Sequence, residues 1–329
     1  MNSLDPLREL FDQHVVGHDD VKDALLLALV CREHIYIEGP PGTAKTRIAE
    51  IAAAGSGLEF FFYQLHRDTR LAELVGDIVL ERRPIEPSDA SGNGEDVGER
   101  IHQRIEPGGL LVAQLCVLDD ISRAPGEALN VLLRVLNERK FGDEEIPLLC
   151  AIATGNPMDD EYYNEPLDPA NLDRFALQLR VEGMVYRGDE QARELIERFA
   201  RGDVEERPQP DPVVTLETLE AAHEALSRIE IPKAVQDGLL ELLRTLVVDE
   251  GCSDTNSLLT DRSFLVKAVK LIRGRAWLDG RVVAELQDLS VVAWMTTFRV
   301  PEEVQVRIED ILSTVRTRAS SADVAARGD

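Results

Sequence analysis

Apolar positions along this chain change rhythm once, near residue 184. Before that point, short apolar runs bounded by turn residues alternate with longer stretches of helical period. The runs at 34–38, 59–64, 115–118, 148–154 and 176–181 have the length of buried strands. The stretches 21–33, 45–54 and 125–138 carry apolar residues at helical spacing. Strands that alternate with helices predict an α/β fold, with a mostly parallel sheet covered on both faces. Beyond 184 the strand signals fade, and helical stretches follow at 189–200, 215–228, 233–248, 262–278 and 302–316. The pattern predicts two domains, 1–183 and 184–329, the second all-helical. Within the second, 201–212 reads as a linker by composition, and the tail from about 317 is expected to fray.

Two segments interrupt the first rhythm. Residues 77–104 break the alternation, and 84–99, rich in Pro, Gly, Ser and acids, predicts a mobile loop. Residues 140–147 predict the turn of a small hairpin.

The chain has 329 residues, room for about two domains and a sizeable core. Acids outnumber bases by 61 to 36, a formal charge of -25. That balance argues against a general grip on nucleic acid or on an anionic membrane surface. It fits either solubility or life in a salty cytoplasm. The four cysteines, Cys31, Cys116, Cys150 and Cys252, are scattered through apolar contexts with no C-x-x-C. Buried thiols in a reducing cytosol are the expectation. No signal-peptide pattern opens the chain, and no apolar stretch reaches the length of a membrane span, so a cytoplasmic location is expected.

The most specific chemistry lies at GPPGTAKT: Gly39, Pro40, Pro41, Gly42, Thr43, Ala44, Lys45 and Thr46. It fits the phosphate-binding pattern G-x-x-x-x-G-K-[ST] except at Ala44, where the second glycine is usual. Gly39 and Gly42 allow a tight turn whose N–H groups point at an anion. Ala44 is tolerable if its backbone is near helical. Lys45 brings charge to the β- and γ-phosphates, and the Thr46 hydroxyl is suited to Mg²⁺. A strand before the loop and a helix after it aim the helix N-terminus at the phosphates.

Hydrolysis needs more than a phosphate loop. LCVLDD ends an apolar strand in two carboxylates: Asp119, placed for Mg²⁺, and Asp120, placed to polarise a water. A strand followed by acidic turn residues is the plainer alternative. Asn156, at the end of the next strand, can contact the γ-phosphate or orient water, or simply form a turn before Pro157. Arg174 can be a structural ion-pair residue or reach a neighbouring subunit's γ-phosphate, a task that suits its charged planar fork. Arg262, opening a later helix, can touch the same nucleotide and couple lid position to phosphate state. His66 and Arg67 lie near the insert and read as local hydrogen-bonding groups. His14 and His18 flank a turn and predict no metal.

In order and content these segments resemble an AAA+ ATPase, and more narrowly the MoxR family, over nearly the whole chain. The resemblance rests on VVGHDDVKDALLLAL, GPPGTAKT, RIEPGGLL, VLDDISRAPGEALNVLLRVLNERKF, ATGNP, NLDRF, TDR and RAWLDGR. It implies that Val16 and Gly17 lie by the adenine of ATP, that Asn156 is the first sensor, Arg174 the arginine finger and Arg262 the second sensor. It implies a ring, usually hexameric, with ATP and Mg²⁺ between subunits. It also implies a chaperone-type remodeler acting on a client complex with a von Willebrand factor A (vWA) domain partner. The family usually has Asp-Glu where this chain has Asp119-Asp120. The shorter side chain sets its carboxylate back by roughly 1.5 Å, which implies slow hydrolysis. A weakly hydrolysing, ATP-dependent assembly scaffold is the alternative, and a nucleic-acid motor fits the net charge poorly.

Overall fold

Short, nearly all-apolar strands build a parallel sheet at the centre of the computed structural model, which describes residues 3–84, 99–157, 167–202, 210–253, 255–259 and 262–327. In chain order the strands are β1 (Ile35–Glu38), β2 (Phe60–Gln64), β3 (Gly76–Pro84), β4 (Glu99–Pro107), β5 (Leu115–Asp119), β6 (Lys140–Phe141), β7 (Glu144–Glu145), β8 (Cys150–Gly155) and β9 (Leu177–Arg180). The main sheet has the order β2-β5-β8-β1-β9, every pairing parallel. β5 and β8 are buried along their apolar lengths because layers pack on both faces. The α/β expectation is met.

The helices of the first part are α1 (Asp5–His14), α2 (Asp19–Cys31), α3 (Lys45–Ser56), α4 (Leu71–Val75), α5 (Gly126–Glu138) and α6 (Pro169–Leu172). Those of the second part are α7 (Asp189–Arg201), α8 (Leu216–Ala225), α9 (Lys233–Arg244), α10 (Arg262–Leu278), α11 (Val291–Thr296), α12 (Glu302–Gln305) and α13 (Ile308–Arg327). α1 was not among the expected helices. Its signals are a proline in the first turn and the buried Leu7, Leu10 and Phe11 at helical spacing.

Alternate residues of each strand feed two apolar clusters. Leu115, Val117, Cys150 and Ile152 point into a cluster shared by α1, α2, α3 and the helices from α8 onward. Cys116, Leu118, Ala151 and Ala153 point into the other, with α5. The helical part and the sheet therefore share one continuous core. Cys31, Cys116, Cys150 and Cys252 are all buried free thiols.

The described residues of the interruption at 77–104 form a two-stranded ribbon, β3 pairing antiparallel with β4 from Gly76↔Pro107 to Pro84↔Glu99. Of the expected loop, 85–98 lies outside the described residues, as do 203–209 of the expected linker and 260–261 before Arg262. β6 and β7 form the expected hairpin at 140–147. In the tail, α13 continues past 317 to Arg327. The segment is rich in Ala and Arg, which extend a helix already nucleated by packed residues such as Leu312 and Val315.

Candidate functional site

Residues 39–46 leave the C-terminal end of β1 and enter α3. Gly39 is pressed against the sheet: a Cβ there would stand 2.7 Å from the Val181 carbonyl oxygen. Its own N–H donates to the Gly155 carbonyl of β8 (3.1 Å). Gly42 has φ +82°, and no heavy atom lies within 4 Å of where its Cβ would stand. The turn is thus tight behind and open in front, as a phosphate cradle requires. Thr43 Oγ1 donates to the Pro40 carbonyl (2.8 Å) and braces the loop.

Ala44 departs from the expectation of a near right-handed helical backbone. It caps α3 at φ 59°, ψ 14°, in the left-handed region. That is the conformation the usual glycine adopts without a Cβ clash, and it explains why glycine is usual there.

Lys45 is 8% exposed. Its Nζ donates to the carbonyls of Gly39 (2.5 Å) and Pro40 (2.9 Å) and reaches Asn156 Oδ1 at 3.5 Å. Burial lowers its pKa, opposed by the charges of Asp119, Asp120 and Glu38. Thr46 Oγ1 donates to Asp119 Oδ1 (3.2 Å), and so does Thr154 Oγ1 (2.6 Å). The Asp120 N–H donates to Thr154 Oγ1 (3.2 Å), and Asn156 Nδ2 donates to Asp120 Oδ1 (2.7 Å). Arg123 Nε lies 3.5 Å from the other Asp120 oxygen. Lys45, Thr46, Asp119, Asp120 and Asn156 therefore form one connected network at the C-terminal edge of the sheet. Thr154 and Arg123 join it. Thr154 could have been found as the one hydroxyl in an otherwise apolar strand.

A cavity of about 870 Å³ adjoins the loop. Val16, Pro40, Pro41, Gly42, Thr43 and Ala44 line it, with Met184 and the α7 residues Leu195, Ile196 and Phe199. Gly17 lies beside it, with φ +70° and Gln191 of α7 closing over its Cα. The α7 residues were missed in the sequence. Their signal is an apolar stripe on a charged helix of which no residue is buried.

Arg174 and Arg262 are placed elsewhere. Both line a second cavity of about 530 Å³, together with Glu33, His34, Arg139 and Lys267. Glu33 and His34 lead into β1, whereas the phosphate loop leaves its other end. The two arginines thus sit at the N-terminal edge of the sheet, across from Lys45. Arg262 is thus not grouped with the phosphate loop of the same chain: α10 begins beside Arg174, because its body packs on α2 and presents its first turn to that edge.

The donor set fits a hard divalent cation. A hydroxyl and a carboxylate, Thr46 and Asp119, meet beside a buried lysine and an open loop of N–H groups. No helix among the described residues is long and apolar enough to cross a membrane.

Comparison with known proteins agrees with this arrangement. A family model described as the MoxR domain in the MoxR-vWA-beta-propeller ternary systems matches residues 3–209. An uncharacterized protein of Methanocaldococcus jannaschii is 27% identical over 296 residues, covering 89% of this chain and 69% of that protein. Chaperone MoxR1 of Mycobacterium tuberculosis is 29% identical over 190 residues, 56% of this chain and 45% of that protein. A solved structure of a putative ATPase from Cytophaga hutchinsonii superposes with a TM-score of 0.71 at 18% identity, over 95% of this chain and 93% of that one, and shares its fold. With the matching model spanning well over half of the residues, the chain belongs to the MoxR family of AAA+ ATPases.

Proposed function

We propose that the chain works as a ring, hexameric by family resemblance, that hydrolyses ATP between adjacent protomers in the cytoplasm and remodels a protein complex. The observation that carries this reading is the division of the catalytic set between opposite edges of one sheet. Lys45, Thr46, Asp119, Asp120 and Asn156 form one network, whereas Arg174 and Arg262 line a cavity at the far edge. Neither half is complete alone. A second copy that brings its Arg174 edge to the first copy's loop completes the set.

In that assembly the adenine lies in the cavity between Val16 and α7, and the phosphates lie on the loop N–H groups and Lys45. Thr46 and Asp119 would hold Mg²⁺, which when bound neutralises charge on the phosphate oxygens. Asp120, oriented by Asn156, accepts a proton from the attacking water. Arg174 and Arg262 of the neighbouring copy balance charge as the bond to the leaving group breaks. The Asp at 120 makes hydrolysis slower than a Glu would. A vWA-domain protein and a β-propeller protein are the proposed partners, supported by the ternary systems named in the family description.

Two inactive proteins test this reading. Lys45→Ala and Arg174→Ala should each abolish phosphate release. Mixed and reassembled, they should recover part of it, because Lys45→Ala copies donate Arg174 to intact phosphate loops. An equimolar mixture that forms rings yet stays as inactive as its components would overturn the proposal.

A further inference from the structure

The loop that carries Arg174 is gripped by side chains of the helical part. Arg299, just beyond α11, is 2% exposed. Its Nη2 donates to the carbonyls of Asp173 (3.2 Å) and Phe175 (3.1 Å), the two residues flanking Arg174, and pairs with the Asp173 carboxylate at 3.1 Å. Its Nη1 donates to the Met295 carbonyl of α11 (3.0 Å). Lys267 Nζ donates to the same Asp173 carbonyl at 2.8 Å. The Arg299 guanidinium also lies 5.6 Å from the ring centroid of Phe264. Phe264 and Lys267 stand on α10, the helix that Arg262 opens.

Withdrawing a guanidinium from water is costly, and an apolar side chain of similar size would join two packed surfaces with less penalty. What a rigid fork of donors adds is direction. Here the fork seizes the backbone on both sides of Arg174 and rests on the helix that begins with Arg262.

We propose that Arg299 and Lys267 are positioning residues that fix Arg174 and Arg262 as one rigid pair. The helical part of a protomer and its finger loop then form a single body, so a displacement of that body relative to the next protomer completes or opens the neighbour's ATP site. This rests on the reading above that Arg174 acts across the protomer boundary.

The same mixing experiment separates positioning from general damage. Arg299→Met is placed first on the Lys45→Ala copy, which donates the finger, and then on the Arg174→Ala copy, which hydrolyses. Recovered activity should fall on the order of 10- to 100-fold in the first arrangement and persist in the second. Arg299→Lys, which keeps the charge but loses the fork, should behave as Arg299→Met does. Lys267→Met, at a half-buried position where folding is not at stake, should show the same asymmetry more weakly. Equal loss in both arrangements, or none in either, overturns the proposal. If the parent mixture without Arg299→Met is itself inactive, the reading of Arg174 has failed and this inference falls with it.

Discussion

A methyl group stands at position 44 where the backbone favours none. Ala44 holds φ 59°, and a Cβ in that region costs roughly 1–2 kcal/mol against the right-handed alternative. Ala44→Gly should therefore raise stability by a net of about 1 kcal/mol, after the extra unfolded-state freedom of glycine is subtracted. The urea midpoint measures it, and an unchanged or lower midpoint would show that the strain is absent. Asp120 shares the left-handed region, at φ 53°. Asp enters that region more readily than most residues, so the short carboxylate suits its backbone even where a longer one would reach further.

His34 supplies a second prediction at this scale. It is fully buried; its Nε2 donates to the Leu136 carbonyl at 2.8 Å, and its Nδ1 accepts from the Ala151 N–H at 3.0 Å. Burial, then the nearby Arg139 charge, holds its pKa down to about 4 from the ordinary 6.5. The fold prefers the neutral ring, so this contribution is complete above 6.5 and is lost as pH falls toward about 4. Between pH 7 and pH 5 it should remove about 2 kcal/mol. Urea unfolding at the two pH values checks this, and His34→Gln should flatten that part of the profile. The carboxylates and the amide of the site were legible in the sequence, because strand ends set Asp119, Asp120 and Asn156 at recognisable spacings. The sign of φ at Ala44 was not, because an alanine carries no local signal for a left-handed backbone.

At the scale of elements, the contact of α10 with α2 depends on one missing side chain. A Cβ at Gly274 would overlap the Cys31 sulphur and stand 2.6 Å from Leu27 Cδ1. Gly274→Leu should cost about 3 kcal/mol by overpacking, more than the roughly 1 kcal/mol gained in helix propensity. A fall in the thermal midpoint measures it, and an unchanged midpoint would mean that the helices separate freely. The strands were legible because buried parallel strands leave unbroken apolar runs. α1 was passed over because it is short and its signals are few.

For the whole molecule, the organising fact is that the phosphate loop and the two arginines occupy opposite edges of one sheet. Sequence order conceals this. Arg262 follows the phosphate loop by a long stretch of chain, and only the packing of α10 on α2 decides which edge it meets. The parts were therefore legible while their grouping was not. The shared apolar core has a further effect: the helical part cannot swing as a wholly separate body, since its helices and α1–α3 bury the same cluster. α7 is the exception. None of its residues is buried, and Leu195, Ile196 and Phe199 turn toward the large cavity beside the loop. A guest entering there would supply, from outside the polypeptide, the hydrophobic neighbours this helix lacks. Occupancy should then raise the temperature at which α7 melts, by an amount that grows with guest concentration.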